Sequence, residues 1–145
     1  MTPADRLLRP MRVVGILCDR DAGMNPSLLI VDDDLNVVKQ LKWNFHEQFD
    51  VVHALTVADI DAAMIRSHPV AALVDMHLPP TLKSPETGID LVRHLRASNP
   101  DLLIIGISVS QDPHIPEAVR DAGASHFLQK PFSSDALKSL IAATA

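Results

Sequence analysis

Cysteine, aromatic residues and long apolar runs are all scarce in this chain of 145 residues. The lone cysteine, Cys18, excludes an internal disulfide. Aromatic residues make up only 3% of the chain, so its core must be built from Leu, Ile, Val and Ala. Apolar residues nevertheless reach 47%, a globular and not a disordered composition. No apolar run approaches the roughly 18 residues that a membrane-spanning helix requires. A net charge of −5 and a pI near 5.7 argue against a nucleic-acid-coating surface. The opening segment, "MTPADRLLRPMRVVGILCDRDAGMNP", does not read as a secretory signal: its apolar part, Val13 to Cys18, is short and flanked by charge. These exclusions lead to the expectation of one domain in the cytoplasm, with no membrane or nucleic-acid partner.

What is present is an alternation of short apolar runs and helix-period segments from Ser27 onward. Strands are expected at Leu28–Val31, Val51–Leu55, Val70–Val74, Leu102–Ile107 and His126–Gln129. Helices are expected between and after them, carrying Leu35, Val38, Leu41 and Phe45, then Val57, Ile60 and Met64. Ile89, Val92 and Leu95 mark the third, Ile115 and Val119 the fourth, and Leu137, Leu140 and Ile141 the fifth. Thr56 with Asp59, Gly88, Asn99-Pro100, Gly123 and Ser133 or Ser134 punctuate them. Continuous apolar strands between helices imply an α/β fold: a doubly wound, five-stranded parallel sheet with helices on both faces.

Ligands of such a sheet bind at the carboxyl ends of its strands. The first strand delivers Asp32, Asp33 and Asp34 there, the third Asp75, the fourth Ser108 and the fifth Lys130. Crowded carboxylates repel one another, and a hard divalent cation such as Mg²⁺, with Mn²⁺ as its substitute, resolves the repulsion. Together with a lysine, such a cation stabilises a phosphoryl group, which a carboxylate accepts as nucleophile. Asp34 is expected to cap the first helix and not to bind the ion. Trp43 is expected to be a partly buried surface aromatic.

The ordered segments "LLIVDDD", "ALVDMHLP", "IIGISV" and "AGASHFLQKPF" resemble the receiver domain of two-component response regulators, over about Ser27 to Thr144. The resemblance implies a CheY-like, flavodoxin-like (βα)5 domain at residues 27–145, of the stand-alone type. Residues 1–26 are an N-terminal extension: a disordered arm, an over-long start or a true appendage. It implies Asp75 as phosphoacceptor and Asp32 and Asp33 as the acidic pair holding Mg²⁺. The backbone carbonyl of His77 becomes a further metal ligand, its ring having no assigned part. Ser108 is the switch hydroxyl, Lys130 the phosphoryl-binding lysine before a cis proline, and Phe127 the aromatic switch. The implied partners are a sensor histidine kinase or histidine phosphotransfer protein and a downstream protein reading the 115–142 face, the chain being a monomer or a weak phosphorylation-dependent dimer. The implied role is a switch that phosphorylates and dephosphorylates itself, not an enzyme.

Two departures from the family stand out. The path from Asp75 to Gly88 is lengthened in "PPTLKSPET", so residues 79–87 form an insertion beside the site. Val109 replaces the small residue common after the switch hydroxyl and predicts slow dephosphorylation. Two other readings remain open. "LIVDDDL" also fits the opening of haloacid-dehalogenase-like phosphatases, which would use Asp32 and Asp34. A phosphate-independent binding module is the other.

Overall fold

The computed structural model describes residues 25–77 and 87–144. Nearly all of the 1–26 extension, Cys18 included, and the insertion prolines Pro79, Pro80 and Pro85 lie outside the described residues. The described chain alternates strand and helix: β1 (Ser27–Val31), α1 (Leu35–Phe45), β2 (Asp50–His53), α2 (Val57–Ser67) and β3 (Ala71–Asp75). It continues with α3 (Gly88–Ser98), β4 (Leu103–Ser108), α4 (His114–Ala122), β5 (His126–Gln129) and α5 (Ser134–Thr144). The five strands form one parallel sheet in the order β2-β1-β3-β4-β5. This is the doubly wound fold expected from the sequence. Its order reverses direction between β1 and β3, the place where such sheets open a crevice.

Alternation along each strand divides the core in two. Leu28, Ile30, Ala71, Leu73, Leu103, Ile105 and Ile107 pack against Val38, Leu41 and Phe45 of α1 and Leu137 and Ile141 of α5. Leu29, Val31, Ala72, Val74 and Ile104 pack on the other face against Ile60, Leu91, Val92 and Leu95 of α2 and α3. The core is aliphatic as composition required, and Phe45 is the one aromatic among the described fully buried side chains. Trp43 corrects an expectation: it is 76% exposed, because Val38, Leu41 and Phe45 define the inward stripe of α1 and Trp43 lies off it.

Helix ends follow local chemistry. The Asp34 carboxylate accepts the Asn36 N–H and caps α1, and the Thr56 hydroxyl accepts the Asp59 N–H and caps α2. Thr87 and Asp90 form a reciprocal capping box at the start of α3. Gly123 ends α4 at φ 120°, a conformation that strains any residue with a Cβ. Ser133 accepts the Ala136 N–H at the start of α5, while Ser134 accepts a hydrogen bond from Asn44 of α1 at 2.7 Å.

Candidate functional site

All five strands present a polar group at one rim of the sheet. Asp32, immediately after β1, is fully buried, and its carboxylate accepts the Asp34 N–H at 2.9 Å. Asp75 is the last residue of β3 and is also buried; its Oδ1 accepts the His77 N–H at 2.9 Å. Ser108 ends β4 with no exposed surface. Lys130 follows β5, and its ammonium donates to Asp32 Oδ2 at 2.8 Å and to Asp75 Oδ2 at 3.5 Å. The Lys130–Pro131 peptide is cis. His53 ends β2, and its Nε2 donates to the Asp32 carbonyl oxygen at 2.8 Å; a carbonyl accepts only, so the proton sits on that nitrogen.

Backbone packing fixes where Asp75 stands. α3 starts directly against it: a Cβ on Gly88 would collide with the Asp75 carbonyl oxygen and lie 2.6 Å from Met76 Cα. Only glycine permits this approach, which sets the first turn of α3 beside the acidic rim. On the next strand, Gly106 is the register partner of Phe127, so Phe127 and Ser108 lie on the α4 face of the sheet. Phe127 is half-buried there. Gly106 admits α4, since a Cβ at that position would come within 2.5 Å of Val119 Cγ1.

Burial raises the Asp75 pKa above the ordinary aspartate value, and the nearby Asp32 carboxylate pushes it the same way. The His77 N–H and the Lys130 ammonium pull against this without overcoming it. Burial works to lower the Lys130 pKa, but the Asp32 hydrogen bond and the two negative charges outweigh it, so Lys130 is held above its ordinary value. Asp32, Asp33 and Asp75 each offer a carboxylate oxygen, all within 4.8 Å of one another. Three carboxylates face one ammonium there, an excess that matches the charge of one divalent cation. The hard oxygen donors also suit Mg²⁺. The donor set therefore fits the ion expected from the sequence.

The rim brings together Asp32, Asp33, Asp75, Ser108 and Lys130. Asp34 stands apart as a helix cap and is not one of the clustered carboxylates. This removes the basis for the phosphatase reading, which required Asp32 and Asp34 as a pair. His77 holds a place the sequence reading left empty: its ring Nε2 lies 2.5 Å from Ser108 Oγ. His53 was missed as well: with its strand expected to run to Leu55, it did not stand at a strand end.

A groove of about 310 Å³ runs from Lys130 and Pro131 past Val109 to Val37, Gln40 and Asn44 of α1. Val109 is 65% exposed on its wall.

Residues 28–142 match the family model of the response regulator receiver domain. The photosynthetic apparatus regulatory protein RegA of Rhodovulum sulfidophilum is 33% identical over 112 residues, which cover 77% of this chain and 58% of that protein. The chain spans about half the length of the curated relatives it matches. The solved receiver domain of NtrX from Brucella abortus superimposes with a TM-score of 0.71 at 22% identity, covering 81% of this chain and 97% of that one. A response regulator from Burkholderia pseudomallei, solved with a phosphorylated aspartic acid, calcium ion and citrate, gives a TM-score of 0.70 at 18% identity over 81% of this chain and 66% of that one. At these identities the structural likeness speaks for the fold alone. Among the described residues no helix is long and apolar enough to cross a membrane.

Proposed function

The chain belongs to the response regulator receiver domains of two-component systems, and from that premise we propose that it is a phosphorylation-dependent switch whose acceptor is Asp75. The observation that carries this reading is the convergence of the buried Asp32 and Asp75 with the exposed Asp33 and with Lys130 on one rim. The donor is a phosphohistidine on a histidine kinase or phosphotransfer protein. An Asp75 carboxylate oxygen attacks the phosphorus in line, and the bond to the departing imidazole breaks. Lys130, already 3.5 Å from Asp75, neutralises charge gathering on the phosphoryl oxygens. A Mg²⁺ ion held by Asp32, Asp33, Asp75 and the His77 carbonyl would supply the remaining positive charge.

The acyl phosphate then accepts a hydrogen bond from Ser108. Movement of Ser108 draws the "SVSQDPHIP" loop, and Phe127 on the same face of the sheet follows. The face spanning residues 115–142 changes, and a downstream protein reads it. Val109 covers the approach to Lys130 and slows the hydrolysing water. Incubation with acetyl phosphate and Mg²⁺ tests this function: wild type gains one phosphoryl mass and Asp75→Ala gains none. Steady turnover of a phosphomonoester without a stable adduct would overturn it.

A further inference from the structure

We propose that the His77 side chain is a positioning residue that latches the Ser108 hydroxyl away from the acceptor while Asp75 is unmodified. The inference rests on the proposed phosphoacceptor role of Asp75 and concerns how that site is regulated.

Ser108 has no exposed surface, so its hydroxyl needs partners inside the protein. Its oxygen accepts the Ser110 N–H at 3.0 Å and lies 2.5 Å from His77 Nε2. The Ser110 contact uses a lone pair and leaves the hydroxyl proton unplaced. Among the described residues His77 Nε2 is the one acceptor within reach of that proton, so the proton is placed there and the ring proton on Nδ1. A hydroxyl donates one proton to one acceptor at a time. While Ser108 donates to His77, it does not donate to a phosphoryl oxygen on Asp75.

His77 joins the two halves of the site. Its backbone N–H donates to Asp75 Oδ1 at 2.9 Å, and its ring meets the switch hydroxyl 31 positions further along the chain. A group bonded to Asp75 disturbs the first contact and competes with the second. His77 itself is exposed, so its ring swings into solvent without leaving a cavity. The latch therefore sets the fraction of molecules ready to receive the phosphoryl group, and that fraction scales the apparent affinity.

Beryllofluoride with Mg²⁺, a phosphoryl mimic, provides the probe, titrated against the full chain. His77→Leu keeps bulk but removes the hydrogen bond, and His77→Phe is a second such variant. Both should bind beryllofluoride about twofold to tenfold more tightly than wild type, the effect of losing one hydrogen bond. His77→Gln places an amide near the lost Nε2 and should restore affinity toward wild type; a packing role would make Gln and Leu alike. In a Ser108→Ala background His77→Leu should change nothing further. Unchanged or weaker binding by both His77→Leu and His77→Phe overturns the latch, as does a gain that persists without the Ser108 hydroxyl. A wild type that takes up no beryllofluoride overturns the proposed function and the latch with it.

Discussion

Lys130 is shared unequally between two buried carboxylates: its ammonium is 2.8 Å from Asp32 and 3.5 Å from Asp75. The shorter contact compensates a carboxylate with no exposed surface. Removing one partner of such a pair leaves a buried charge stranded. Lys130→Met, which keeps chain length, should therefore destabilise the fold by about 3 kcal/mol in urea unfolding. A variant as stable as wild type would show that the pair contributes no net stability.

The raised pKa of Asp75 sets the sign of a pH effect. A carboxyl group held above its unfolded value binds its proton more tightly in the folded state. Its contribution to stability thus declines as pH rises from the ordinary aspartate value of 3.8 through the raised one. At neutral pH the ionised Asp75 is a cost, and Asp75→Asn removes it. With metal chelated, Asp75→Asn should melt a few degrees above wild type at neutral pH, and the gap should shrink as pH falls toward 3.8. A gap that is constant or grows on acidification would contradict the assignment.

Gly88 is expected to be sensitive for a steric reason. The Cβ introduced by Gly88→Ala would meet backbone atoms of Asp75 and Met76, which cannot rotate away. The variant should lose about 2 kcal/mol, the usual scale of core overpacking, and should also phosphorylate more slowly because Asp75 is displaced. Wild-type stability together with a wild-type phosphorylation rate would refute the close packing.

Val109 stands exposed on the wall of the groove that leads to Lys130. If it obstructs water, Val109→Ala should shorten the half-life of the acyl phosphate several-fold and leave stability nearly unchanged, since little apolar surface is buried there. Measuring loss of label from purified phosphoprotein decides this, and an unaltered half-life counts against obstruction.

Sequence reasoning reached furthest where a feature is local. Asp34, Thr56 and Gly123 act on their own helix ends, so a few neighbouring residues suffice to place them. The Thr87–Asp90 box follows the same spacing as Thr56–Asp59, but the prolines before it predict a loop that runs through residue 87. Strand ends were less secure. The second strand was expected to run to Leu55 but leaves the ladder after His53; Ala54 still donates to Ile30, while Leu55 turns outward before the Thr56 cap.

Contacts between distant segments left no trace in composition or period. Arg96 donates to the carbonyls of Gly123, Asn99 and Pro100 and to Ser125, tying α3 to the end of α4. His94 meets Asp61 at 2.6 Å between α3 and α2. His77 meets Ser108 only because β3 and β4 are neighbours in register. The acidic rim was legible because four strand ends repeat one rule. The rings of His53 and His77 were not, because their partners are set by how strands pair.

If Asp75 carries the phosphoryl group, the modified side chain can be located chemically. After incubation with acetyl phosphate and Mg²⁺, borohydride converts an acyl phosphate to a primary alcohol, and peptide mass spectrometry locates it. The reduced side chain is expected at position 75 alone, and absent when Mg²⁺ is chelated or when Asp75→Ala is used. Reduction at Asp32 or Asp33, or none in wild type under conditions that label a known receiver domain, would contradict it.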